Sequence, residues 1–295
     1  MSAAFGQIFL TGITMGLIYI MVALGLTLVF GVMRVVNFVH GEMVMLAAFS
    51  MYYIYGVWHV NFVLALVVSA ALVSAAGVFF QRYLYKPLKY DMDSVMICAL
   101  GASYAIKSAS WLAFGPVPRH IPTVFPGMLH FFGAYLSKER AAACVICIAL
   151  TAGLYLVLHK TKMGKAIRAV EQDSEAAQVL GISIDGVNAM VFVIGCSLAA
   201  VAGTFSGILF AVEPEMGSDP LMKCFMIILI GGIGSIPGAI VAGLMLGLID
   251  SFSETLFSGE MAFIIGFALL MFILIVRPKG FFGYDISELT SRRKE

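Results

Sequence analysis

The segment GVMRVVNFVHGEMVM, residues 31–45, lies between oily stretches and carries Arg34, Asn37, His40 and Glu42. These are residue types that move protons, pair charges or bind polar ligands. Asn37 and His40 stand three apart and would share a face if the segment is helical. Glu42 and Arg34 have the charges to pair. Catalysis needs more than this segment holds: it has one imidazole and one carboxylate, no nucleophile beside a base, and no H-E-x-x-H. Two readings stay open for Arg34, Asn37, His40, Gly41 and Glu42: lining of a path through a membrane, or bracing of a bundle. No catalytic, cofactor-binding or metal-ligating set is expected. Cys144 and Cys147 form a C-x-x-C, but it sits in the apolar run AACVICIA without ligand partners, so packing is its expected role.

A second polar island, HKTKMGKAIRAVEQDSEAAQVLGI at 159–182, holds Lys160, Lys162, Lys165, Arg168, Glu171, Asp173 and Glu175. Met163, Ile167, Val170 and Ala177 follow helical spacing and form an apolar ridge. Asp173 is placed to cap a helix beginning at Ser174, and Gly181 to supply a left-handed exit. Such built ends exceed what a tether needs. The segment reads as a knob offered to a partner on the cytoplasmic side, or as a helix lying on membrane lipid.

The elements that position these islands follow from composition. Of 295 residues 61% are hydrophobic and only 12% charged, at a mean hydropathy of +0.99, which puts the chain among membrane proteins. A net charge of +1 leaves no basic stripe for nucleic acid. The start, MSAAFGQIF, lacks a basic n-region and reads as the beginning of a first span rather than a signal peptide. Apolar stretches fall near 8–31, 41–57, 60–80, 94–114, 141–158, 187–212, 221–249 and 260–276, and most reach the roughly 20 residues a spanning helix needs. The expected fold is an all-α polytopic membrane protein of about eight hydrophobic segments. Lys107 interrupts the fourth and would snorkel or line a cavity.

Basic residues orient the chain. Arg82, Lys86 and Lys89, the 159–182 island, and Arg277, Lys279, Arg292, Arg293 and Lys294 read as cytoplasmic. The 213–220 and 250–260 connections carry Glu213, Glu215, Asp219, Asp250, Glu254 and Glu260 and read as external, so Ser251 and Ser258 should be accessible from outside. Both ends of the stretch from 182 to the tail are then inside, which requires an even number of crossings. GGIGSIPG at 231–238 supplies the extra one if 221–249 is broken or re-entrant at Gly231, Gly232, Gly234, Ser235, Pro237 and Gly238. That segment should lie at or inside the membrane. The competing reading is one kinked helix with the tail outside. The small-residue series Gly195, Ala199, Gly203, Gly207 and Ala239, Gly243, Gly247 predict close helix packing.

Three blocks carry a family resemblance: GLIYIMVALGLTLVFGVMRVVNFVHGEMVMLAA at 16–48, GKAIRAVEQDSEAAQVLGI at 164–182, and GGIGSIPGAIVAGLMLGLID at 231–250 with the RPKGFFG tail at 277–283. In that order, over essentially the whole chain, the sequence resembles the LivH-type permease subunit of branched-chain amino acid ABC importers. The resemblance implies one permease domain over 1–295 in a bacterial inner membrane, importing leucine, isoleucine and valine. It also implies a second, LivM-type permease, two cytoplasmic ATPases and an extracytoplasmic substrate-binding protein. The 159–182 loop would be the coupling loop, through Gly164, Lys165, Ile167, Arg168, Ala169, Val170, Glu171, Asp173, Glu175, Ala176 and Gly181. No phosphate-binding G-x-x-x-x-G-K-[ST] occurs, so ATP hydrolysis would belong to other chains. Two alternatives stay open: the same architecture carrying another amino acid, a short amide or urea, and a secondary transporter.

Overall fold

The computed structural model describes residues 2–283 other than 89, 132, 133 and 258, so Lys89, Ser258, Arg292, Arg293 and Lys294 lie outside the described residues. The order is α1 (Ser2–Met33), α2 (Val39–Met51), α3 (Phe62–Phe80), α4 (Met92–Phe114), β1 (Met128–Phe131), β2 (Ala134–Ser137), α5 (Lys138–Lys160), α6 (Lys162–Gln172), α7 (Ser174–Val179), α8 (Ile184–Leu209), α9 (Ser218–Gly231), α10 (Ile236–Leu256) and α11 (Gly259–Val276). Among the described residues six helices are long and apolar enough to cross a membrane, namely α1, α3 with its π-helical extension to Tyr85, α4, α5, α8 and α10. Helix α11 contributes a shorter apolar segment, Met261–Val276. This is the polytopic all-helical architecture expected, with one addition. The 115–140 connection contains an antiparallel hairpin, with Leu129 opposite Leu136.

Helices α1 and α8 form the centre. The middle of α1, from Ile18 to Leu24, is almost wholly buried, and α8 is buried along most of its length. The small-residue stripes allow this density. A Cβ at Gly203 would collide with the Val44 carbonyl oxygen of α2, and one at Gly247 with the Gly16 backbone of α1. Without a hydrophobic drive between helices in lipid, such backbone proximity is the main source of packing energy. Helices α3, α4, α5 and α11 expose rows of large apolar residues, including Val67, Ile97, Leu112, Val145 and Ile275, as a lipid or partner face requires.

The two ends of the bundle differ in charge. At one end lie Arg34, Arg82, Lys86, Lys160, Lys162, Lys165, Arg168, Arg277 and Lys279, and there Lys86 pairs with Asp185 at 2.7 Å. At the other, Ser251 Oγ donates to Ile8 O, the Tyr135 amide donates to Gln7 Oε1, and Arg119 bridges Val212. The basic end is the one that the positive-inside rule expects on the cytoplasmic side; the 277–283 tail lies at that end and the N-terminus at the other.

The 221–249 stretch divides into two antiparallel helices, α9 and α10, satisfying the parity requirement. Their corner at 232–235 sits at the basic end. Gly232 and Gly234 take left-handed φ values of +100° and +79°, and Ser235 caps α10 by accepting from the Gly238 amide. Pro237 falls in the first turn, where its missing N–H costs nothing. The tail closes the corner, the Phe281 amide donating to Ile230 O and the Phe282 amide to Gly231 O.

One expectation is corrected. Asp250 and Ser251 are not in an external connection; α10 continues through both, and both are buried, so Ser251 is shielded from reagents. Besides the 232–235 corner, backbone is interrupted at two further places within the bundle. Residues 34–38 climb back from the inner end of α1 before α2 begins, and 211–217 descend from the outer bridge at Val212 before α9 begins. Helix α2, of 13 residues, runs on as a π-helix to Val57, whereas α9, with 14 residues, is too short to span by itself. Their N-termini meet: a Cβ on Gly41 would come within 2.6 Å of the Gly217 carbonyl oxygen.

Candidate functional site

The His40–Glu42 segment opens the short helix α2, deep in the protein. His40 Nε2 donates to Val22 O at 3.1 Å, so Nε2 carries the proton, and Nδ1 has no partner among the described residues. Asn37 Oδ1 accepts from the buried Tyr85 hydroxyl at 2.7 Å. These two contacts brace α2 against α1 and the end of α3. The expected Glu42–Arg34 pair does not form. Arg34 is exposed at the basic end with φ +54°, whereas Glu42 is 2% exposed and accepts from Ser103 of α4 at 2.9 Å. Glu42 Oε2 has no hydrogen-bond partner among the described residues. One turn beyond Ser103, Lys107 donates to Ser218 Oγ at the first residue of α9, at 2.7 Å. The residues near the N-termini of α2 and α9 thus face the same stretch of α4. A lone Lys at the centre of a span costs about 2.5–3.5 kcal/mol on insertion scales, so its placement calls for a partner or water.

A second buried polar group joins three helices. Lys223 of α9 ion-pairs with Asp250 of α10 and donates to the Tyr19 hydroxyl of α1 at 3.1 Å; Asp219 lies 3.8 Å away. The lone lysine stands out in the 221–249 run, but its partners, distant in sequence, do not.

The 159–182 island folds as two helices. Thr161 caps α6 by accepting from the Gly164 amide, and Asp173 caps α7 by accepting from the Glu175 and Ala176 amides, both at 3.0 Å. Gly181 provides the exit with φ +84°. Gly164 packs so tightly that a Cβ would strike the Leu158 carbonyl, the same oxygen that Arg168 uses as acceptor. Lys165 is exposed and Ala169 half-buried. The apolar ridge is turned inward: Ile167, Val170 and Ala177 are buried against the chain itself and are not presented to a partner. Two residues that ridge-reading missed project instead, Val179 at 86% exposure and Leu180 at 80%. Their exposure depends on how α7 is docked, which spacing alone does not specify.

Glu171 links the three sequence blocks. Its carboxylate lies against the backbone of Gly31 at the end of α1 and of Gly234 in the α9–α10 corner; Cβ atoms there would approach Oε1 to 3.2 and 3.5 Å. Burial pushes the Glu171 carboxyl above the ordinary range, while Arg168 and Arg34 pull it back. A raised folded value means that its contribution to stability is present below the unfolded value and lost as pH rises through the folded one. Glu171→Gln should therefore gain thermal stability relative to the unsubstituted chain as pH is raised from acidic to neutral, measured as unfolding midpoints in one detergent. A constant difference across pH would refute this.

Among the described residues no cluster of His, Cys, Asp and Glu could hold a metal ion. A multi-pass bundle with two helix starts meeting inside it and an ordered helical loop at its basic end suits a membrane permease, and similarity carries that class. The chain belongs to the family described as the permease component of branched-chain amino acid transport systems, whose match spans residues 8–274. It is 31% identical to the high-affinity branched-chain amino acid transport system permease protein BraD of Pseudomonas aeruginosa, over 94% of this chain and 95% of that protein. It is 32% identical to the corresponding LivH protein of Escherichia coli, over 95% of this chain and 96% of that one. The fructose import permease protein FrcC of Rhizobium meliloti is 28% identical over 41% of this chain and 36% of its own length. No solved structure matches.

Proposed function

We propose that this chain is the membrane subunit of an ATP-driven, binding-protein-dependent importer of leucine, isoleucine and valine in a bacterial inner membrane. The observation that carries this reading is the near full-length similarity to permeases named for that transport. In the working assembly it pairs with a LivM-type permease, rests on two ATPases and receives cargo from an extracytoplasmic binding protein. The apolar outer faces of α3, α4, α5 and α11 are shared between lipid and the second permease. The loop of α6 and α7 couples to an ATPase, with Val179 and Leu180 as its apolar contacts and Lys165, Glu175 and Gln178 as the polar rim. A second reading, the same machine carrying another amino acid, an amide or urea, is kept beside it, since partial similarity extends to a permease named for a different cargo, fructose.

The test is uptake of a panel of radiolabelled aliphatic amino acids, amides, sugars and urea by the complete importer in proteoliposomes, with and without internal ATP. ATP-dependent entry of leucine, isoleucine and valine supports the reading. Entry of urea or an amide alone overturns the substrate, and ATP-independent uptake driven by an ion gradient overturns the class.

A further inference from the structure

Between α2, α4 and α9, Glu42 and Lys107 stand near one another along α4 without forming an ion pair. Glu42 Oε1 is held by Ser103, and its buried Oε2 points at no hydrogen-bond partner among the described residues. Lys107 is held by Ser218, is only half-buried, and makes no ion pair among the described residues. Glu42 and Lys107 are close enough to act electrostatically on each other, and Glu215 acts on Glu42 with the opposite sign. If bracing were their task, direct contact would stabilise both; instead each is pinned by its own serine, with bonding capacity left over. Ser218 also opens α9, so the positive end of that helix dipole is turned to the same place as Lys107. Glu215 and Asp219 are exposed beside it, and charges at this depth face water or a polar partner rather than lipid.

We infer that Glu42, Ser103, Lys107 and Ser218 form a transit site for the zwitterionic head of an amino acid, with Glu42 Oε2 taking the ammonium and Lys107 with the α9 N-terminus taking the carboxylate. The inference rests on the amino acid import reading. Opposite charges held apart match a ligand whose own charges are apart, whereas the side chain needs only the apolar surroundings the bundle supplies. The site orders cargo briefly between the receptor and the cytoplasm, so weak binding suffices.

The test uses the complete reconstituted importer. Glu42→Gln and Lys107→Met should each lower leucine import by about tenfold or more, the cost of losing one charged hydrogen-bond partner. The Ser103→Cys thiol, measured against the labelling of the native cysteines, should react with a small cationic thiol reagent. That rate should be more than halved while leucine-loaded receptor and ATP drive turnover. Ser103→Cys decides the matter where the charge variants fail to assemble. Import at the wild-type rate by both charge variants, or labelling indifferent to leucine, overturns the site. If the unsubstituted importer moves no amino acid at all, the functional reading falls first; if it does and protection is absent, only the site falls.

Discussion

Asp250→Ala should sharply reduce both the yield and the thermal stability of the folded protein. It removes the buried carboxylate that pairs with Lys223 and leaves that ammonium, also buried, without its ion-pair partner in the protein interior. Breaking one half of a buried pair costs about 3–5 kcal/mol, because desolvation of the remaining charge is no longer offset. Tyr19 can accept one hydrogen bond from Lys223 but cannot neutralise it, and Asp219, at 3.8 Å and largely exposed, offsets little. Replacing both partners with apolar residues removes the uncompensated charge. Lys223→Met with Asp250→Leu should therefore recover most of the loss in thermal stability, measured by fluorescence-detected size exclusion after heating. A double variant as unstable as Asp250→Ala would show that the pair does something beyond mutual neutralisation.

The second large effect is expected at the cytoplasmic face. Val179 and Leu180 are nearly as exposed as the chain can make them, at the end of a capped helix whose Ala177 is buried. Apolar side chains that a cytoplasmic loop holds out in water on ordered backbone suit a partner's groove. Burying a side chain of this size contributes about 1.5–3 kcal/mol, so Leu180→Glu should weaken association with the ATPase subunits by roughly tenfold to a hundredfold. The permease itself should be as stable as before, since neither side chain is part of its core. Co-purification of the ATPases and stimulation of ATP hydrolysis by loaded receptor are the readouts. Full stimulation in Val179→Glu and Leu180→Glu together would remove these residues from the coupling surface, and the rim of Lys165 and Glu175 would have to carry it.

Composition and local pattern determined much of this protein. Long apolar runs must become helices in lipid because the backbone has no other way to satisfy its hydrogen bonds, so α1, α3, α4, α5, α8 and α10 were legible from the sequence. Capping chemistry is equally local, which is why Asp173 and Gly181 bound α7 as their types required. The small-residue stripes announced close packing, and parity required that 221–249 be two helices. Partners distant in the chain were decided only by tertiary structure. Whether Ile167 and Val170 face a partner or their own chain depends on how α6 docks, and a helical period is the same in either case. Glu42 is followed in sequence by nothing that would point to Ser103, 61 residues on. Asp250 looked external because an acid near the end of an apolar run ordinarily marks a boundary; Lys223, 27 residues earlier, made its burial tolerable. The interruption at 34–38 holds neither proline nor glycine to announce it, and Pro214 in the other marks a break without saying how deep it lies. Both interruptions persist because the starts of α2 and α9 seal each other at Gly41 and Gly217, a backbone contact that only the folded bundle can bring about between residues so far apart in the chain.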